Sequence, residues 1–480
     1  MNRSLRRLYL ALASGFGAVV LMLGYWQIVA ADRLSARTDN PRVAERELLI
    51  DRGNITTADG VVVARSRAVR RRDRQIFQRV YPRPTLASNA IGYSSPNQGT
   101  TGLESSWNRY LGGSFSAESL FDQFRSSTKR GASVRLTIDS RIQQAAITAM
   151  AGQEGAVVAI EPATGNVLAL LSTPSFDLSK VAGDFGAILK DPNKPLYSRA
   201  TQSRYPPGST FKVLTTIAAL DSGTFSPTSP FVDRGRYEKN GRAITNFGGH
   251  VYGAHDLQTA LVKSINTTFA AIGAQLGPEK LGKTMTAFGF GTRPGIDLRP
   301  EEVFSSGRFR EGKLLANEDP TGDSARLAIG QEQLDVTPLQ MAIVAAAIAN
   351  GGLRMTPHLV SQVKDRGGDI VKEVRPEEAG RATSPETAAA VAAMMRRVVE
   401  EGTGQAADVA GLSVAGKTGT AETGRPGQND AWFIGFAPQT NAKVAVAVVI
   451  ANTPATGGGV AAPVASAVMR AALAATGRTP

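Results

Sequence analysis

At 480 residues, 42% of them apolar and 20% charged, the chain is long enough for two folded units and has the composition of an ordinary globular protein with a large core. It contains no cysteine, which excludes a disulfide framework, a thiolate nucleophile and a cysteine-ligated metal. The three histidines, His250, His255 and His358, have no His or Glu partner at zinc-site spacing, so neither a metal nor another cofactor is expected, while the formal charge of +13 implies contact with something anionic.

In chain order, the first signal is an uncharged run from Leu8 to Ala31. At ~1.5 Å per residue it would cover about 36 Å as a helix, enough for the ~30 Å hydrocarbon core of a bilayer. Arg3, Arg6 and Arg7 precede it, which under the positive-inside rule keeps the N-terminus cytoplasmic and sends the rest of the chain outside. Tyr25 and Trp26 suit the outer interface. Val29-Ala30-Ala31 resembles a cleavage site, but the run exceeds the ~7–15 residues of a signal core, so a retained single-pass anchor is the preferred reading over a cleaved signal peptide.

Residues 32–134 are rich in arginine and turns, with short strand candidates at GVVVARS and QIFQRVY, and read as a small mixed domain. Arg65, Arg67, Arg70, Arg71, Arg72, Arg74 and Arg79 crowd this stretch. No nucleic-acid motif accompanies them, so a solvated face near anionic lipid is favoured over a nucleic-acid surface.

From residue 135 the texture changes. Asp139 is a candidate N-cap for a helix in SRIQQAAITAM, and GAVVAIEPATGNVLALLSTP reads as two strands about a turn. Apolar helical segments follow at 209–221, 257–276 and 337–349. Strand candidates then appear in LSVAGKTGTAE, AWFIGFAP and KVAVAVVIA, before a terminal helix. Two early strands, a helical middle and three late strands predict an α+β body (135–480): an antiparallel five-stranded sheet flanked by helices, plus an all-helical subdomain.

The stretch RYPPGSTFKV concentrates the chemistry. Pro206, Pro207 and Gly208 disfavour helix up to that point, so a helix is expected at or just after Ser209, with Lys212 at i+3 on the same face. The helix is apolar nearly all round and should be buried. A buried lysine loses hydration, and its pKa falls towards a value useful to a base beside a serine nucleophile. The S-x-x-K pattern recurs at Ser126/Lys129 and Ser361/Lys364 without that context. Company in order strengthens the first instance: Ser264 and Asn266 lie at a junction between helical segments, and Lys417-Thr418-Gly419-Thr420 lie on a strand candidate. A turn or cap would account for the first pair and a packing glycine for the second.

Together S-T-F-K, S-I-N and K-T-G resemble the motif set of penicillin-binding proteins, most closely the monofunctional class B enzymes. RYPPGSTFK, EPATGNVLALLSTPSFD and TPLQMAIVAAAIANGG read like family segments; upstream, Arg52-Gly53-Asn54-Ile55 resembles its R-G-x-I motif and GTTGLE its G-x-x-G-L-E motif. The resemblance implies a peptidoglycan DD-transpeptidase with a penicillin-sensitive serine. Its substrates would be stem peptides ending in D-Ala-D-Ala, its inhibitors β-lactams. The chain would divide into a cytoplasmic stub and anchor (1–31), a pedestal (32–134) and the transpeptidase body (135–480), with a polytopic SEDS-type glycosyltransferase as partner.

By the same resemblance Ser209 is acylated, Lys212 is its base, and Ser264 relays the proton with Lys417 polarising it. Asn266 holds the substrate amide, Thr418 and Thr420 bind the terminal carboxylate beside Gly419, and the N–H groups of Ser209 and Thr420 form the oxyanion hole. The middle residue of S-I-N is apolar where many relatives are polar there, and the pre-135 region is short for class B. No E-x-x-L-N segment supports a β-lactamase. A non-catalytic sensor or scaffold and a DD-carboxypeptidase are the alternatives.

Overall fold

The computed structural model describes residues 3–26, 45–71, 74–115, 129–239 and 241–477. The end of the apolar run (27–31), the 31/32 boundary, Arg72 and Ser126 lie outside them. Helix α1 (Arg3–Gly24) carries the expected apolar run; its Ser4–Gly24 portion has mean hydropathy 1.6 and is not buried against any of the described residues.

The arginine-rich stretch forms a hairpin, β2 (Val62–Arg71) with β3 (Arg74–Val80), beside the short β1 (Ile55–Thr56). β1 pairs in parallel with β4 (Ser133–Leu136). After β4, Asp139 caps α2 (Ser140–Met150) as expected, accepting from the Arg141 N–H. β5 (Gly155–Ile160) and β6 (Val167–Thr173) make the expected hairpin. The middle of the chain supplies α3 (Lys212–Asp221), α4 (Leu257–Lys263), α5 (Asn266–Ala287) and α6 (Pro338–Ala349). This region is not all-helical as expected: it also holds two short antiparallel pairs, Pro230–Asp233 with Gly253–Asp256 and Arg236–Lys239 with Arg242–Thr245, whose four-residue strands are too short to leave a periodic signal in the sequence.

Two more strands, β7 (Val360–Lys364) and β8 (Ile370–Glu373), return to the N-terminal sheet, whose order is β8-β7-β4-β1-β2-β3. The chain closes with α7 (Pro385–Glu401), β9 (Ala415–Glu422), β10 (Asn429–Ala437), β11 (Val444–Thr453) and α8 (Ala462–Ala475). The second sheet has the order β6-β5-β11-β10-β9 and is antiparallel throughout, so the α+β body read from the sequence is the one observed.

Both faces of that sheet are covered, which is why β5 and β11 read as unbroken apolar runs. Val157, Ala159, Phe433, Val446 and Val448 face α2 and α8, where Ile142, Met150, Val468 and Met469 pack on them. Val158, Ile160, Trp432, Ile434 and Val449 point the other way, into the larger core that includes α6. Each of these valine, isoleucine, phenylalanine and methionine side chains stabilises by roughly 1.5–3 kcal/mol. The Gly457–Ala475 segment is also long and apolar but half of it is buried against this sheet.

The two upstream motifs meet inside the N-terminal unit. Glu104 of GTTGLE is fully buried and accepts from Arg52 Nη2 at 2.9 Å and Arg79 Nε at 2.5 Å. Burial alone would raise its carboxyl, and the Arg79 and Arg52 charges reverse that and hold it below the ordinary glutamate value.

Candidate active site

The cleft is built where α3, the α4–α5 junction and edge strand β9 converge. The segment before α3 winds as a tight 3₁₀ turn over Gly208–Phe211, so the α-helix proper starts at Lys212, slightly later than the prolines suggest, and Ser209 stands in that turn. Ser209 is half-buried, and its hydroxyl has no hydrogen-bond partner among the described residues. The turn lies directly on β9. A Cβ at Gly419 would come within 2.8 Å of Pro207 O and 2.9 Å of Thr210 Cγ2, so only glycine lets the serine turn approach the strand this closely. The close approach explains the glycine in K-T-G.

Every residue of α3 from Lys212 to Ala219 is buried, as its apolar surface requires. Ser264 adopts a left-handed conformation (φ 58°, ψ 44°) between α4 and α5. Non-glycine residues pay on the order of 1–3 kcal/mol for such a backbone, and the sharp break is what turns both Ser264 and Asn266 into the cleft.

There the side chains interlock. Lys212 Nζ lies 2.7 Å from Ser264 O, 3.2 Å from Ser264 Oγ and 2.6 Å from Asn266 Oδ1. Lys417 Nζ lies 3.0 Å from the same Ser264 Oγ and donates to Thr418 O at 3.0 Å. Both lysines are fully buried. Two amines contacting one hydroxyl are at most about 6 Å apart, where two full charges would repel by roughly 3 kcal/mol at an effective dielectric of 20. Burial, and then the Lys417 charge, lowers the Lys212 pKa well below the usual lysine range. Burial brings Lys417 to about 7. A neutral Lys212 has two N–H groups, which Ser264 O and Asn266 Oδ1 accept, leaving its lone pair for a proton.

The folded chain therefore holds the Lys417 proton less tightly than the unfolded chain does. This group's contribution to stability is least favourable below pH 7 and improves as pH rises from about 7 towards 10.5. Lys417→Met should remove that rise and increase stability at pH 7 by a few kcal/mol, read as a higher urea midpoint at pH 7 than at pH 9.5 relative to wild type.

Asn266 is partly engaged within the protein: besides accepting from Lys212, its Nδ2 donates to Thr245 O at 2.9 Å, leaving one amide hydrogen for a ligand. Thr418 is buried and shares a 2.6 Å hydrogen bond with the hydroxyl of Thr403. Thr420 is half-buried, and its hydroxyl accepts from Gly457 N at 3.2 Å. All eight residues singled out in the sequence thus lie on three segments that the fold packs against one another. Of the recurrent S-x-x-K pairs, Ser361/Lys364 lies on β7 in the N-terminal sheet, not on the segments that carry these residues.

Three supporting residues escape a sequence reading. Asp233 accepts from Thr267 Oγ1 and Gly235 N at 2.7 Å and from Asn246 Nδ2 and Tyr252 N at 2.8 Å, fixing the segment that presents Thr245 O to Asn266. Burial would raise this carboxyl, but those hydrogen bonds lower it. None of Asp233, Asn246 and Thr267 belongs to a spaced motif. The only available signal is polar residues within short apolar segments.

The chain is similar to known proteins over most of its length. A family model for the penicillin binding protein transpeptidase domain matches residues 155–470, and one for the penicillin binding protein A dimerisation domain matches 52–134. The chain is 38% identical to peptidoglycan D,D-transpeptidase PbpA of Mycolicibacterium smegmatis, over 98% of this chain and 99% of that protein. It is 36% identical to its Mycobacterium tuberculosis counterpart over the same shares. Among solved structures, penicillin-binding protein A of M. tuberculosis as a penicillin G acyl-enzyme complex superposes with TM-score 0.78 at 36% identity, covering 88% of this chain and 99% of that one. The D,D-transpeptidase domain of a peptidoglycan glycosyltransferase from Eggerthella lenta gives 0.78 at 35%, covering 89% and 99%.

Proposed function

The chain belongs to the penicillin-binding protein family, and on that basis we propose that it runs the family's peptidoglycan D,D-transpeptidase reaction, with penicillin as a covalent inhibitor, from Ser209 and the cleft around it. The observation that carries the residue assignment is the shared Ser264 hydroxyl, held by Lys212 at 3.2 Å and Lys417 at 3.0 Å beside the serine turn.

Neutral Lys212 takes the Ser209 proton as Oγ attacks the carbonyl between the two terminal D-alanines of a stem peptide. The oxyanion is met by the N–H groups of Ser209 and Thr420, one at the start of a helix and one on the sheet edge. As the C–N bond breaks, the proton on Lys212 passes through Ser264, polarised by Lys417, to the departing D-alanine amine. An amine of a neighbouring stem then attacks the ester. Its proton returns through the same groups to Ser209 Oγ, leaving a peptide cross-link and free enzyme. Thr418 and Thr420 hold the terminal carboxylate. The remaining N–H of Asn266 holds the substrate amide.

Residues 1–31 serve as cytoplasmic stub and single-pass anchor, 32–134 as pedestal and 135–480 as the extracytoplasmic transpeptidase body. The orientation rests on Arg6 and Arg7 at the start of α1, and contact of the pedestal with a polytopic SEDS-type glycosyltransferase rests on family resemblance alone.

The test is mass spectrometry of the full chain in detergent with paired stem peptides. Cross-linked dimer that disappears on adding penicillin G supports transpeptidation. Release of D-alanine without dimer would make the protein a carboxypeptidase. Lys417→Met adds a pH readout. It removes the charge that helps depress Lys212, so the rise of the acylation rate with pH should have its midpoint at higher pH, with the rate down about 10²-fold. An unmoved midpoint would exclude Lys212 as the group titrating.

A further inference from the structure

Thr403 lies outside every motif, at the rim of the cleft just beyond α7. Its position is tightly determined. A Cβ at Gly402 would come within 2.6 Å of Val262 O, so the turn is pressed against the end of α4. Lys263 Nζ reaches across to Glu401 O at 3.2 Å, and Gly404 N bonds back to Val398 O at 3.0 Å. On the other side a Cβ at Gly458 would lie 2.6 Å from Thr403 O. The backbone at Thr403 is thus held between the helix that ends at Ser264 and the turn that precedes α8, while the residue itself stays exposed at the rim. From there its hydroxyl meets Thr418 Oγ1 at 2.6 Å.

Each hydroxyl has one proton and two lone pairs. Among the described residues Thr418 Oγ1 has no other hydrogen-bond partner. If Thr418 donates to Thr403, its only proton is used and it offers a carboxylate nothing but lone pairs. If Thr403 donates, the Thr418 proton is left free to point into the cleft, and the incoming hydrogen bond polarises that O–H further.

We propose that Thr403 is a positioning residue for the reaction: by donating its proton to Thr418 it turns the Thr418 hydroxyl into a donor aimed at the substrate's terminal carboxylate. Thr403 itself need not touch substrate. The inference rests on the assignment of Thr418 to the carboxylate, and the experiment separates the two.

The measurement is the acylation rate constant of the full chain in detergent with penicillin G and with its methyl ester, expressed as the acid-to-ester ratio. Loss of active protein cancels in this ratio, so a partly unfolded variant still reports. Thr403→Val keeps the β-branched shape and removes the hydroxyl; the ratio should fall about 10-fold, the size of one hydrogen bond to a charged group. Thr403→Ser should restore it. Thr418→Val should lower it at least as much. A ratio that falls for Thr418→Val and holds for Thr403→Val overturns the role of Thr403 while leaving the carboxylate site intact. A ratio unmoved by either variant overturns both assignments. Equal failure of Thr403→Ser and Thr403→Val would show that shape, not the hydroxyl, matters, and also overturns the proposal.

Discussion

Ser209→Ala should take up no covalent label from a fluorescent penicillin and cross-link about 10⁶-fold more slowly, because removing the nucleophile leaves only binding and oxyanion stabilisation. Stability should barely change. The Ser209 side chain is half-buried, its hydroxyl has no partner among the described residues, and the substitution strands no buried polar group. The fold contacts of the turn are made by its neighbours, Pro207 and Thr210 against Gly419. The variant should therefore melt within about 2 °C of wild type, surface substitutions of this kind costing under about 0.5 kcal/mol. Labelling that persists in the variant would place the nucleophile elsewhere. Label lost from wild type within minutes would identify a hydrolase, and wild type that never labels would leave a binding scaffold.

Glu104→Ala should have the opposite profile, with little direct effect on chemistry and a stability loss of roughly 3–5 kcal/mol. The substitution leaves Arg52 and Arg79, whose side chains are each 4% exposed, without their shared carboxylate. Arg52 would keep Asn108 Oδ1 at 2.7 Å and Arg79 would keep Gly53 O at 2.8 Å, which softens but does not remove the penalty. Glu104→Gln keeps the shape and should lose less. Because the folded carboxyl titrates below its unfolded value near 4.5, its contribution is complete above that pH and fades as pH falls through the folded pKa. Acid unfolding of Glu104→Ala should accordingly be flatter than wild type below pH 5. A variant with wild-type denaturant midpoint and acid limb would show the buried pair to be energetically neutral.

The catalytic body was legible because its signals are local. Unbroken apolar runs at 155–160 and 444–453 mark strands buried on both faces, and the prolines before Ser209 announce a helix start. The cleft residues stand out because a serine–lysine pair opening a buried helix is a costly arrangement to keep. The N-terminal unit was much less readable. Nothing in VSQVK (360–364) says that it pairs with Ser133–Leu136 more than two hundred residues earlier, since register between distant strands is decided by tertiary packing. The supporting polar groups were silent for the same reason. Asp233, Asn246 and Thr403 belong to no motif, and they matter only once the fold brings Thr267 against the first two and Thr418 against the third.

The catalytic sheet places β11, the last of its strands to be synthesised, between β5 and β10. An emerging polypeptide can form the 155–173 hairpin early and the 415–437 hairpin late, yet neither joins the other until residues 444–453 arrive as the middle rung. Closure by long-range pairing is slow, and here it waits for almost the whole length of chain. A chain built in this order cannot complete its catalytic sheet until nearly all of it has been synthesised, and removing its last forty residues would leave two hairpins with no seam between them.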